Sequence, residues 1–461
     1  MEDVVVATRV SSVREQLSLF GMDDHSLRAV EREEAYWHLP TRERLQALLE
    51  DSLDFQGAKT GYASHHLHSF AAKFPPQLPR QFILGLTRPG EIVLDPMAGS
   101  GTAVVEAILL QRQGIGVDMD PLAVQISQVK ITRLSPGNLA DAGKRVLTTA
   151  HRLLADGRTL DGLLERNFDD RTRDFVDYWF LPITQRELLA LITAIKKEPD
   201  ADVRRFLFLT VSSIIVTKSG GVSLARDLAH SRPHRDLTKR PRSVLEQFQT
   251  RLSKNLRGIM SMPDDRNALI VHGNARRLPL ANDTVHLIVT SPPYANAIDY
   301  MRAHKFSLVW MGHRIADLSE WRARYIGAER LGKFSPPSFP PETQQVIEAL
   351  SRRDEKKARV LAKYFVEMRG VLSEMYRVLR PGAAAVIVVG TSTMRGLNVQ
   401  THLCLAEIAT KVGFDLVRIA ERRLDRDRRM MPARFGQKGA SQIEERMHHE
   451  YVVGLLKAEE K

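Results

Sequence analysis

Apolar positions between residues 91 and 118 fall into two short runs flanking a longer one. Glu91-Ile92-Val93-Leu94-Asp95 is too short for a helix and stops at a glycine-bearing turn, so it predicts a β-strand. An apolar helix is predicted from about Thr102 to Gln113, and a second strand at Gly114-Ile115-Gly116-Val117-Asp118. Pro121 suits the first turn of the next helix, where its missing N–H costs nothing. Strand, turn, helix, strand, helix is the pattern of a parallel sheet covered by helices.

The alternation stops at about residue 135 and resumes near 266. Ala268-Leu269-Ile270-Val271 and Val285 to Thr290 read as strands, followed by a charged, proline-bearing segment at 314–358. A helix from Leu361 to Leu379 leads through Arg380-Pro381-Gly382 into a strand at Ala384 to Val389. A helix at Thr401 to Val412 and strands at Leu416 to Ile419 and His449 to Leu456 complete the pattern. The expected architecture is a doubly wound, Rossmann-like α/β sheet of seven strands with a helical insertion. Four stretches follow: a polar, helical N-terminal extension (1–60), one half of the α/β domain (61–134), the helical insertion with a basic loop (135–265), and the second half (266–461).

The 461 residues carry a formal charge of +12, which favours a polyanionic partner such as nucleic acid. One cysteine, Cys404, rules out an internal disulfide framework and a cysteine-rich zinc site. His65, His66 and His68 lack a matched acid or cysteine partner, and no metal is expected. The N-terminus has no basic start or cleavage site. The longest apolar stretch, Phe206 to Val216, is too short for a bilayer. A cytoplasmic location, where nucleic acid is available, is therefore expected.

Two constellations carry chemistry. In Asp95-Pro96-Met97-Ala98-Gly99-Ser100-Gly101-Thr102 a strand turns into a helix. The glycines allow close backbone approach, and free N–H groups at the helix start favour a carboxylate. Asp95 suits an ammonium, and Asp118, one strand later, suits the two hydroxyls of a ribose. A cofactor with a ribose and an amino-acid tail but no phosphate fits this set. The second constellation is Thr290-Ser291-Pro292-Pro293-Tyr294. Two prolines cannot extend a strand, so the chain must leave the sheet at its ligand-binding edge. The Ser291 hydroxyl and the Pro292 carbonyl are acceptors there, and the Tyr294 ring is a stacking face, a set that fits a flipped base with an exocyclic amine. Such an amine is a poor nucleophile until acceptors pull its nitrogen toward tetrahedral geometry. Chemistry at a ring carbon would instead need a nucleophilic cysteine, and Cys404 sits in a helix without a preceding proline.

Asp95 to Thr102 resembles the cofactor motif of amino-group DNA methyltransferases, and Ser291 to Tyr294 resembles their catalytic motif. The resemblance implies S-adenosylmethionine as cofactor and double-stranded DNA as substrate. It implies direct transfer to a flipped base, and the serine in first position is similar to the N4-cytosine branch. The site residues it implies are Ser291, Pro292, Pro293 and Tyr294 for the base. For the cofactor they are Asp95, Met97, Gly99, Ser100, Gly101, Thr102 and Asp118. Ser69 to Pro76 resembles the segment that closes over the methionine end, which adds Phe74 and Pro75. Gly273-Asn274-Ala275-Arg276 resembles the segment near the adenine ring, with Asn274 where an aspartate is common. A cognate restriction enzyme, if there is one, would be a separate chain.

Methylation of adenine N6, of a guanine amino group in RNA, and a silent nucleic-acid-binding protein of the same fold are the alternative readings. For reading DNA the insertion offers Arg226, Arg232, Arg235, Lys239, Arg240 and Arg242, set among prolines. A merely solvated basic face is the plain alternative. The arginines between Arg422 and Arg434 and the segment Arg322 to Lys333 are further candidates.

Overall fold

The computed structural model describes residues 37–217, 221–226, 228, 233–295, 299–331, 334–390, 392–424 and 449–459. Seven strands form one sheet. They are β1 (Ile92–Asp95), β2 (Gln113–Asp118), β3 (Ala268–His272), β4 (Val285–Thr290), β5 (Leu379–Gly390), β6 (Asp415–Arg423) and β7 (His449–Leu456). Their spatial order is β6-β7-β5-β4-β1-β2-β3. All neighbours are parallel except β7, which runs antiparallel to β5 and β6. The predicted seven-stranded, doubly wound sheet is thus the observed one.

Period-two alternation divides the buried side chains between two faces. Leu94, Ile288, Ile387, Val389 and Val453 join one core, which α13 (Pro341–Ser351), α14 (Glu355–Val378) and α15 (Thr401–Val412) cover. Val93, Leu287, Val289, Val386, Val388 and Val452 join the opposite core, under α1 (Thr41–Glu50), α2 (Gln77–Leu86) and α3 (Thr102–Leu109). Helix α1 comes from the N-terminal extension and packs through Leu45, Leu48 and Leu49, so this part of residues 1–60 is a layer of the sheet. Residues 1–36 lie outside the described residues.

The insertion is helical, as its pattern predicts. After α4 (Pro121–Ile131) come α5 (Pro136–Ala155), α6 (Gly157–Asn167), α7 (Asp170–Trp179), α8 (Pro182–Lys196), α9 (Ala201–Ile215) and α10 (Val244–Met260). They share a core with α4 and with α11 (Met301–Leu308), into which Phe180, Phe206, Phe248, Phe306 and Trp310 are buried. The basic loop carries a two-stranded ribbon, Ala225–Arg226 against His234–Arg235. The proline-bearing segment at 314–358 also holds helices, α12 (Ile315–Arg322) and α13. Helix α14 begins at Glu355, six residues before its apolar run, because the Asp354 carboxylate caps it by accepting from the Lys357 N–H at 3.0 Å. Strand β5 begins at Leu379, earlier than expected. The Arg380-Pro381-Gly382 segment bulges, so that Val285 pairs with Leu379 and Leu287 with Ala384.

Candidate active site

The chain runs β1, β2, β3 outward on one side and returns with β4 on the other side of β1. This makes the β1/β4 border the switch point, where ligands bind beyond the carboxyl ends of strands. Asp95, Asp118, the turn after β3 and the turn after β4 therefore share one edge, although Asp95 and Thr290, which precedes the last turn, are 195 residues apart. A cleft of about 520 Å³ opens there. Among the expected residues, Phe74, Asp95, Met97, Gly99, Ser100, Thr102, Asp118, Ala275, Ser291 and Pro293 line it.

The cradle follows from its glycines. Gly99 (φ +50°) and Gly101 (φ +74°) adopt left-handed backbone, which lets the chain fold tightly before α3 starts at Thr102. A Cβ on Gly101 would sit 2.8 Å from the Ser127 hydroxyl, so the position is also sterically closed. The turn is tied down from below. The Ser127 hydroxyl donates to the Gly99 carbonyl at 2.9 Å, and the buried Lys130 ammonium donates to the Ser100 carbonyl at 2.6 Å.

Asp95 is buried and accepts two hydrogen bonds on one oxygen, Oδ1, from the Thr290 hydroxyl (2.7 Å) and the Met97 N–H (3.1 Å). Burial pushes its carboxyl up to about 7, against the hydrogen bonds that pull it down. Asp118 accepts from the Gly99 N–H at 2.7 Å and the Asp120 N–H at 2.8 Å, and burial together with the Asp120 charge raises it to about 6. Two acids that are costly to ionise alone, set in one cleft, suit a ligand that brings a cation and hydroxyl donors.

The turn after β4 is joined to this cradle by the Thr290–Asp95 hydrogen bond. Tyr364 of α14 donates to the Pro293 carbonyl at 2.9 Å and so fixes the turn from the helix side. The Pro292 carbonyl accepts no hydrogen bond among the described residues. Pro292 itself is buried and does not line the cleft. Tyr294 also lies off the cleft lining. Its hydroxyl donates to Oε1 of Glu450 at 2.7 Å, and burial and that carboxylate push it well above the usual phenol range. Pro75 and Gly101 are buried behind the lining. Asn274 opens on a neighbouring hollow, where its side-chain oxygen accepts from the Arg276 N–H at 3.0 Å and from Nε at 3.1 Å.

Several lining groups carry no sequence motif. Asp120 caps α4 through the Leu122 and Ala123 N–H groups. Its other oxygen pairs with His304 Nδ1 at 2.8 Å and accepts from the Tyr325 hydroxyl at 3.0 Å. Phe70 stacks on Tyr300, with ring centres 5.2 Å apart, and approaches His304. Asp299 holds Arg302 and Arg322, both on the cleft, at 2.9 and 2.5 Å. Phe70, Arg322 and Tyr325 fall in the segments 69–76 and 322–333 that the sequence marked, whereas contacts across the tertiary fold bring in Asp120, Asp299, Tyr300, Arg302 and His304. A hint was available in Asp120, which precedes a proline at a helix start.

Two of the three N-terminal histidines have buried polar partners. His65 pairs with buried Glu106 at 2.7 Å, beside Arg80 and Tyr62, and His68 Nε2 lies 2.8 Å from the Ser212 hydroxyl. No metal-binding cluster occurs among the described residues. Burial pushes the Cys404 thiol up to about 12, so it supplies no thiolate.

On the insertion, Arg226 pairs with Asp236, and the Lys239 ammonium donates to the Ser223 and Ala225 carbonyls at 2.5 and 3.1 Å. Arg235 lies over the exposed Tyr178 ring at 4.3 Å, and Arg240 and Arg242 are exposed. Arg232 lies outside the described residues. Arg422 is no loop residue. It is buried near the end of β6 and paired with Glu450 at 2.9 Å, because the strand extends past Ile419 to Arg423. Arg423 ends β6 with its N–H donating to Asp54 at 2.7 Å, and residues 425–448, with Arg426, Arg428, Arg429 and Arg434, lie outside the described residues.

The model of a DNA methylase family matches residues 25–129 and 285–431, more than half of the chain. The chain belongs to this family of amino-group methyltransferases. The gap in the match covers the helical insertion. Among curated relatives, the methylase is 24% identical over 388 residues to the type II methyltransferase M.MvaI of Kocuria varians, covering 78% of this chain and 84% of that one. It is 24% identical over 371 residues to M.AvaI of a Nostoc species, covering 71% and 74%. Among solved structures, a putative DNA modification methylase from Thermus thermophilus aligns at 20% identity over 41% of this chain and 54% of that chain, with a TM-score of 0.21. The methylase takes S-adenosylmethionine as its cofactor.

Proposed function

We propose that this methylase transfers a methyl group to the N4 amino group of cytosine in duplex DNA, at a specific site, with the target base flipped out of the helix. The observation that carries the proposal is the position of the Ser291-Pro292-Pro293-Tyr294 turn, tied through Thr290 to the Asp95 carboxylate beside the cofactor cradle. The type II names of the relatives support a role in restriction and modification, beside a restriction enzyme on a separate chain. Among the described residues no helix is long and apolar enough to cross a membrane, which agrees with a cytoplasmic protein working on DNA.

S-adenosylmethionine supplies an electrophilic sulfonium methyl. Asp95 takes its ammonium, Asp118 its ribose hydroxyls, and the backbone around Gly99 and Gly101 leaves room for the amino-acid end. Phe74, with Pro75 behind it, closes the methionine end, while Met97, Ser100, Thr102 and Ala275 complete the cofactor contacts. The Ser291 hydroxyl and the Pro292 carbonyl accept the two amine hydrogens and free the nitrogen lone pair for in-line attack. Pro293 keeps the turn rigid and Tyr294 stacks on the base. Catalysis is then positioning and electrostatics, with no covalent enzyme intermediate. Nucleoside mass spectrometry of treated DNA should show N4-methylcytosine. N6-methyladenine would overturn the base assignment, and methylated guanine in transfer RNA with unmodified DNA would overturn the substrate.

A further inference from the structure

Tyr294 opens a buried polar chain that no sequence motif marks. Its hydroxyl donates to Oε1 of Glu450 at 2.7 Å, and Oε2 of Glu450 accepts from Nη1 of Arg422 at 2.9 Å. Glu450 and Arg422 are cross-strand partners on β7 and β6, 8% and 2% exposed, and lie 156 and 128 positions from Tyr294. The Arg422 Nε has no partner among the described residues. Burying an ion pair costs desolvation, and apolar residues of similar volume often serve stability as well or better. A pair that ends on the one phenol of the catalytic turn is better explained by that phenol than by stability.

We propose that Glu450, backed by Arg422, is a positioning residue that sets the Tyr294 ring for the target base. The inference rests on the reading of Tyr294 as the stacking face. Two physical effects follow from the geometry. An anchor at the far oxygen constrains the tilt of the ring, so less rotamer freedom is lost when the base arrives. A phenol that donates to a carboxylate also keeps more electron density in its ring. That strengthens the negative face toward a base whose amino nitrogen gains positive charge during transfer.

The test is single-turnover methyl transfer at saturating cofactor and DNA. Tyr294→Phe should slow the step by about tenfold, the scale of one charge-assisted hydrogen bond, with the dissociation constant for S-adenosylmethionine unchanged. Glu450→Gln, which keeps an acceptor of the same shape, should lose less than Glu450→Leu. Tyr294→Phe combined with Glu450→Leu should be no slower than the slower single variant, because Tyr294→Phe already removes the bond to Glu450, together with the contact of the phenol to Ser291. Tyr294→Phe leaves the Arg422–Glu450 pair in place, so its result stands even if a Glu450 variant fails to fold. A wild-type rate in Tyr294→Phe, or effects that multiply in the double variant, would overturn the proposal. Tyr294→Ala separates it from the reading beneath. A wild-type rate there removes stacking altogether, whereas a slow Tyr294→Ala beside an unimpaired Tyr294→Phe keeps stacking and rejects Glu450.

Discussion

Asp95 and Asp118 end adjacent strands, yet different neighbours hold them. Asp118 accepts with one oxygen from the Gly99 N–H and with the other from the Asp120 N–H, and it lines the cleft. Removing its carboxylate in Asp118→Ala should cost about 1.5–3 kcal/mol of cofactor affinity by calorimetry, the scale of hydrogen bonds to a charged acceptor. Unchanged affinity would reject the ribose assignment. Asp95 gives a pH-dependent prediction. Its folded pKa of about 7 lies above its ordinary 3.8, so between those values the native state binds more protons than the unfolded state. Asp95 therefore lowers the stability of the cofactor-free protein as pH rises through this window. Binding an ammonium needs the carboxylate, so affinity should strengthen from about pH 5.5 to about pH 7.5, below the usual titration of an α-amino group. Asp95→Asn should bind weakly and keep only the shallower rise around pH 6 that belongs to Asp118, and an unaltered wild-type profile in that variant would remove Asp95 from the cofactor site.

At the scale of elements, the cradle is a strand-to-helix turn that only glycine can make. Gly101→Ala would carry left-handed strain of about 1–2 kcal/mol, and its Cβ would press on the Ser127 hydroxyl that supports Gly99. A lowered urea midpoint together with weakened cofactor binding is the expected result. Loss of stability alone would mean that the turn adjusts without disturbing the cleft. Apolar alternation and the glycine turn made these elements legible, because period and turn chemistry are local properties. Helices α12 and α13 were not legible, since charged residues and prolines mask a short amphipathic pattern that only packing against the rest of the fold makes worthwhile.

Over the whole molecule, the helical insertion shares its core with α4 and α11, and so it is built onto the active-site side of the sheet. Arg235 on its ribbon and Arg240 just after it are exposed, Arg235 lying over the Tyr178 ring and Arg240 donating to the Leu237 carbonyl at 3.1 Å. Arg226 pairs with Asp236, and Lys239 donates to the Ser223 and Ala225 carbonyls. Neutralising Arg235 and Arg240 should weaken DNA binding and flatten its salt dependence by about one unit of logarithmic slope per lost phosphate contact. An unaltered slope in a folded variant would mean that this face does not meet DNA.

The sequence alone determined the parallel sheet, the helical insertion, the Asp95–Thr102 cradle and the Ser291–Tyr294 turn, because each is written in neighbouring residues whose backbone demands are local. Tertiary structure decided what those motifs touch. Thr290 meets Asp95 because β4 lies beside β1, and Tyr364 reaches Pro293 because α14 packs across that face. Asp120 gathers His304 and Tyr325 from beyond the insertion, and Glu450 reaches Tyr294 from β7. Arg422 looks in sequence like one more cation of a basic loop, and the register of β6 against β7 turns it into the buried partner of Glu450. Such pairings depend on strand order and register, which join residues from 28 to 205 positions apart and leave no local trace in the chain.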